Sequence, residues 1–277
     1  MTPAIHALAH LLALRLVQSL VEGTVLGVCA AMALRMSRQN ARTKFAVWFS
    51  CLMAIGVLPF INGHWFWHSA PDIASRAAIT LPDSWALYLL ALWAAFAGWF
   101  LLGVGKALWH LRALRKTCVV VDEAALHSSV RETLQRQQTS RRIVLCTSAQ
   151  VRVPTAIGLM KPAVVIPDWV MRDLSPADLN QILLHELAHL RRWDDWTNLA
   201  QQIVKALFFF HPVVWWMERN AALEREIACD DAVLVETARP RAYAECLARL
   251  AERSFAQRSM ALAQAALGRI RQTTIRV

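Results

Sequence analysis

Two histidines four residues apart, with a glutamate beside the first, interrupt an apolar run in ILLHELAHL, residues 182–190. At helical spacing His185 and His189 share one face, and Glu186 lies about a hundred degrees around the axis. Inside a core helix such polar groups are costly unless they have partners. As a set they form two metal ligands with a general base in place. By composition an accidental HExxH has an expectation of about 0.01 in a chain of this length.

A catalytic zinc normally takes three protein ligands and keeps one open position. The third ligand must come from another element, and the downstream EREIACDD offers it. Glu226 is the expected ligand. Asp230, one turn further on the same face, is expected to accept a hydrogen bond from a ligating imidazole. Asp231 competes with it by composition. With one Zn2+ bound, a water would be activated for attack on a peptide carbonyl, and Glu186 would take its proton and later return it to the leaving amine. Tyr243, His211 or an arginine are candidates for stabilising the oxyanion, and spacing does not choose among them.

The helix carrying the histidines must start before them. LSPADL places Ser175 as N-cap, Pro176 in the first turn and Asp178 at the third position. Upstream, RRIVLCTSAQVRVPTAIGLMKPAVVIP has β-branched runs at Ile143–Leu145 and Ala163–Ile166, broken by Pro154, Gly158 and Pro162. It predicts two or three short strands. Residues 112–140 read as a helical connector. Downstream, FFFHPVVWW is too short to span a bilayer but apolar enough to dock on one.

The rest of the chain places these elements at a membrane. The 277 residues are 56% hydrophobic and 18% charged, with mean hydropathy +0.34. Residues 1–111 hold seven Lys/Arg and three acids; the remainder holds 23 and 17. Three spans are expected, at about residues 5–36, 45–63 and 85–105, the first carrying Arg15 and Glu22. The loop RMSRQNARTK has four basic residues and no acid. It predicts the N-terminus outside and everything after about residue 110 in the cytoplasm. Trp65, Trp67, Trp85 and Trp109 lie near span ends, where aromatic belts sit. No basic residue precedes the first apolar stretch, so it does not read as a signal peptide. The net charge of +10 is that of cytoplasmic flanks; no nucleic-acid-binding signature accompanies it, and direct nucleic-acid binding is not expected. Six cysteines form no CxxC pair, which fits reduced thiols.

HELAHLRRWDDWTN, FFFHPVVWWMERNAALEREIACDDAVL and VPTAIGLMKPAVVIP together resemble the BlaR/MecR-type membrane metallopeptidases, the β-lactam sensor-transducers and their relatives. The similarity is good over about residues 140–250. It implies His185, His189 and Glu226 as zinc ligands and Glu186 as base. It places Asp194 where the family carries an aspartate beside the site. It also makes Pro154, Thr155, Ala156, Ile157 and Gly158 the edge that pairs with an extended substrate. Sensor-transducers have a fourth span and an outer penicillin-binding domain. This chain stops at Val277 after a basic amphipathic tail and shows no SxxK site in an outer domain. It reads as a fragment or as a shorter branch, and a β-lactam response is not expected of it. Relatives that cleave themselves imply a cut beyond about Glu252.

The expected fold is mainly α: a multi-span membrane region over 1–111, a cytosolic α+β zincin-like metallopeptidase domain with a small sheet over 112–255, and the tail 256–277. The expected function is a zinc endopeptidase of the inner membrane, in signal transduction by regulatory proteolysis. Its partners are the bilayer and a protein substrate, such as a transcriptional repressor or its own C-terminal segment. The alternative is a non-catalytic scaffold or transducer that keeps the zinc fold.

Overall fold

The computed structural model describes residues 3–60, 83–137 and 142–255. The expected loop with Trp65 and Trp67, and the tail 256–277, lie outside the described residues. The chain forms two compact units. The first joins residues 1–109 to 196–228; the second joins 110–195 to 229–277.

The first unit is helical. α1 is Pro3–Met36, α2 is Ala41–Val57, and α3 is Asp83–Thr117, most of which belongs here. Leu12–Met36 and Trp85–Thr117 are long and apolar enough to cross a membrane. Their outer faces carry exposed apolar residues, including Val17, Val21, Val25 and Val28 on α1 and Leu92, Phe96, Trp99 and Leu102 on α3. An apolar surface of that extent calls for lipid or a partner.

Of the expected span 45–63, residues 61–63 lie outside the described residues, Leu58–Phe60 is a 3-10 turn, and the rest belongs to α2. Its buried residues, Ala41, Phe45, Trp48, Leu52 and Ile55, recur every three or four positions, as a helix packed on one face requires. They meet α7 (Asp194–Leu207), the turn after it and α8 (Pro212–Thr237) through Val204, Phe208, Val214, Met217 and Ala221. That apolar contact draws residues 196–228 into the first unit, although they follow the histidine helix in sequence.

The second unit has a four-stranded sheet in the order β1-β2-β4-β3. β1 is Val119–Val120, β2 Val144–Ser148, β3 Thr155–Ile157 and β4 Ala163–Pro167. β2 and β4 are parallel, while β1 on β2 and β3 on β4 are antiparallel. β4 is buried throughout, as an apolar central strand should be. The connector is not simply helical: α3 ends at Thr117, and β1 and α4 (Ser128–Arg136) follow. The valines after Cys118 favour a strand because β2 is there to pair with them, a long-range cause that local pattern does not carry. α4, the short α5 (Asp168–Asp173) and α6 (Pro176–Arg191) close a core of Val130, Leu134, Val164, Ile166, Leu183 and Leu187. A last helix, α9, is described over 240–255.

Candidate metal centre

α6 begins as its sequence requires. The Ser175 side chain caps the helix by accepting from the Asp178 N–H, with Pro176 in the first turn. Asp178 is held in turn by Arg249, Nη2 to Oδ1 2.6 Å. Leu179, Ile182, Leu183, Leu187 and Leu190 anchor the helix in the core, and it packs against β3 and β4. His185 and His189 are half-buried.

Their rings meet edge-on, with centroids 4.9 Å apart and planes at 78°. The two Nε2 atoms are 3.2 Å apart. Each Nδ1 is backed by a carboxylate: His185 Nδ1 lies 3.0 Å from Asp230 Oδ1, and His189 Nδ1 lies 2.9 Å from Asp194 Oδ2. Each carboxylate takes a second donor. Tyr243 donates to Asp230 Oδ1 at 2.7 Å, and its oxygen is 3.1 Å from His185 Nδ1. Cys229 donates to Asp194 Oδ2 at 3.6 Å, and its sulfur is 3.3 Å from His189 Nδ1. Burial and the Asp230 carboxylate push the Tyr243 hydroxyl up, and burial pushes the Cys229 thiol up. Both therefore stay protonated and donate. Arg192 Nε stands 3.5 Å from Asp194 Oδ1, while Asp194 itself is buried.

Asp194 reaches His189 because the chain reverses between α6 and α7. Trp193 adopts φ 60°, a left-handed conformation that is strained for a bulky residue. Such strain persists where the surroundings over-determine it, often at functional sites.

The other predicted residues fall as follows. Glu186 is buried on α6. Glu226 is exposed on α8, with Arg225 Nε 3.7 Å from its carboxylate, one turn before Asp230. Asp231 is exposed, whereas Asp230 touches His185. Thr155, Ala156 and Ile157 are β3, at the sheet's rim. Pro154 and Gly158 flank it, both buried. A Cβ on Gly158 would stand 2.4 Å from Pro162 Cα, which explains glycine there. The Tyr243 hydroxyl is engaged behind His185 rather than presented to an oxyanion. His211 is in the first unit, fully buried, its Nε2 3.2 Å from the Ser19 carbonyl; that burial takes it out of the oxyanion role. Cys229 and Trp193 escaped sequence reasoning. Cys229 sits inside the quoted EREIACDD, three residues after Glu226, so helical spacing could have flagged it.

The donor set fits a divalent metal. Each Nδ1 is at hydrogen-bond distance from a carboxylate; in the tautomer where both Nδ1 donate, two Nε2 lone pairs face each other at 3.2 Å, an arrangement that a cation between them would satisfy. Two nitrogens bound to one tetrahedral ion stand about 3.3 Å apart, given metal–nitrogen distances of about 2.0–2.1 Å. Carboxylates behind the imidazoles fix the tautomer such ligands need. His189, Asp194 and Cys229 also lie within 4.8 Å of one another, but that grouping uses the Nδ1 already given to Asp194.

Paired imidazoles four residues apart on one helix face are the arrangement by which metal-dependent peptidases hold their ion. The chain belongs to the BlaR1 peptidase M56 family, whose profile matches residues 68–277. It is 28% identical over 121 residues to the regulatory protein BlaR1 of Bacillus licheniformis, covering 44% of this chain and 20% of that protein. It is 26% identical over 129 residues to the methicillin resistance mecR1 protein of Staphylococcus aureus, covering 45% of this chain and 22% of that one. The chain thus spans about a fifth of the length of these curated relatives. The family implies a bound metal and a place at the membrane, in line with the two long apolar helices.

Proposed function

We propose that this chain is a zinc-dependent endopeptidase of the inner membrane, cleaving a cytosolic regulator or itself in signal transduction. The observation that carries it is the pair of Nε2 atoms 3.2 Å apart, each imidazole backed by its own carboxylate. His185 and His189 would hold the ion. Glu226 is the third ligand, because it shares a face of one unbroken helix with Asp230, and Asp230 already stands on His185. When bound, the ion supplies Lewis acidity toward a peptide carbonyl and water.

The remaining work falls to this chain's side chains. Asp230 and Asp194 hold the imidazoles in the tautomer that leaves Nε2 free to bind. Glu186, one residue from His185 and shielded from bulk water, takes a proton at its carboxylate and returns it to the leaving nitrogen. β3 offers its main chain to an extended substrate. The charge pattern supports three spans with the N-terminus outside and the peptidase unit in the cytoplasm.

Glu186→Gln tests the reading. The variant is expected to keep one zinc and its fold and to lose cleavage, seen as the disappearance of cleavage products when cells carrying each form are compared. Unchanged cleavage sinks the catalytic claim. Zinc retained by the wild type without turnover of any peptide favours a scaffold. Loss of stoichiometric zinc in His185→Ala is the companion expectation.

A further inference from the structure

We infer that α7 and the first half of α8 form a re-entrant hairpin, inserted among lipid acyl chains from the side where α2 begins. This rests on α1 and α3 being membrane spans, as proposed above.

Depth is the first observation. At the apex, His211 packs where α1 and α2 meet: a Cβ on Gly23 would lie 2.6 Å from His211 Nε2 and 3.2 Å from Ile55 Cδ1. Below it, a Cβ on Gly27 would lie 2.6 Å from Val213 Cγ1, and Trp216 stands edge-on to Trp48 with centroids 5.0 Å apart. At the base, Lys44 Nζ is 3.7 Å from Glu224 Oε1. From Lys44 to Ile55 is about 16 Å of helix, at 1.5 Å per residue. That is more than half of a hydrocarbon core of about 30 Å.

The turn's backbone is the second. Leu207 O accepts from the Trp93 indole at 2.9 Å and Phe209 O from the Trp215 indole at 2.8 Å. Phe208 O accepts from His211 N–H and His211 O from Val214 N–H. Protein donors satisfy these carbonyls, as backbone at membrane depth requires. The Phe209 ring lies 5.6 Å from both Phe96 and Phe100, on the exposed apolar side of α3.

Charge is the third. Between apex and base, Lys205 pairs with Glu218 at 3.1 Å and lies over the Trp215 ring at 4.4 Å. Gln202 also donates to Glu218. Charges inside a bilayer pair with one another in this way. Arg219 is exposed, with a stem long enough to reach an interface. The hairpin's outer surface is apolar at Ile203, Trp216 and Leu223, continuous in kind with the spans it packs against. Lipid acyl chains are the occupant this surface fits. Glu226, two residues past Glu224, then stands at the level where α2 enters the bilayer.

The test uses the wild-type full chain in vesicles containing a phosphatidylcholine with a diazirine at the end of one acyl chain. After irradiation, adducts are mapped by mass spectrometry. Label is expected on Ile203 and Trp216 at yields within severalfold of those on Val25 and Leu92, and not on Val235, an exposed apolar residue of the second unit. Label on α1 and α3 but none on 203–216 overturns the hairpin and leaves the spans standing; water or a second copy of the chain would then cover it. Absence of label from all of them removes the spans, and the inference with them.

Discussion

Tyr243→Phe separates two jobs that one hydroxyl could have. The substitution removes a single oxygen from a buried ring and leaves its volume nearly unchanged. That oxygen donates to Asp230 at 2.7 Å and stands 3.1 Å from His185 Nδ1. A hydrogen bond to a charged group is worth about 1.5–3 kcal/mol net. Asp230 keeps its 3.0 Å contact with His185, so the loss falls on how firmly that contact is aimed. At about 1.4 kcal/mol per factor of ten, metal affinity should fall by roughly 10- to 100-fold, the usual range for such outer partners. Chelator competition on the purified chain reads the affinity, and peptide turnover at saturating zinc reads kcat. The expected result is weakened affinity with kcat recovering to within severalfold of wild type. An oxyanion donor would behave oppositely, losing about 10²–10³ in kcat at unchanged affinity. That outcome would refute the placement of Tyr243 behind His185.

Asp194→Ala strips the backing from His189 and takes a charge partner from the half-buried Arg192. It should lower unfolding free energy by about 3 kcal/mol or more in denaturant titrations and weaken metal binding. Asp231→Ala, at an exposed site, should change stability by less than about 0.5 kcal/mol. Gly23→Ala places a methyl 2.6 Å from His211 Nε2, and overpacking of this kind costs about 1–3 kcal/mol. Its melting temperature in detergent should drop, while Gly98→Ala, where a methyl meets nothing within 4 Å, should not. Burial alone would raise the Asp178 carboxyl, but Arg249 and Ser175 outweigh it and hold the group below its ordinary 3.8. Its folded pKa is depressed, so the stability it adds is present in full above the ordinary value and is lost as pH falls through the folded value. The acid limb of a pH–stability curve should therefore flatten in Asp178→Asn.

Local signals were enough for α6. Ser175, Pro176 and Asp178 cap it, and its leucines face one way, so the helix and its two histidines could be placed from residue types alone. The same holds for Leu12–Met36 and Trp85–Thr117, whose length and apolarity declare them. What was hidden depends on residues far apart in sequence. Helical spacing gave Asp230 a face and an imidazole to accept from, but only the fold says that the imidazole is His185 and adds Tyr243. Cys229 falls near Glu226 by helical spacing, but nothing near it in sequence announces its contact with Asp194. Residues 196–228 read as part of the charged half until the match between Val204, Phe208 and Met217 and the α2 stripe is seen. β1 is two residues long and exists because β2 is beside it.

Both rims of the sheet are minimal, two residues in β1 and three in β3. Short rims protect a protein from pairing with stray chains. For a peptide docked on β3 as proposed, they also cap the number of main-chain bonds it can gain. Such a guest leaves quickly unless something else keeps it near. Tethering supplies that: a cleavage segment on the same chain, or anchored in the same bilayer, arrives at high effective concentration without any added contact. Selectivity would then reside in delivery more than in the residues flanking the cut.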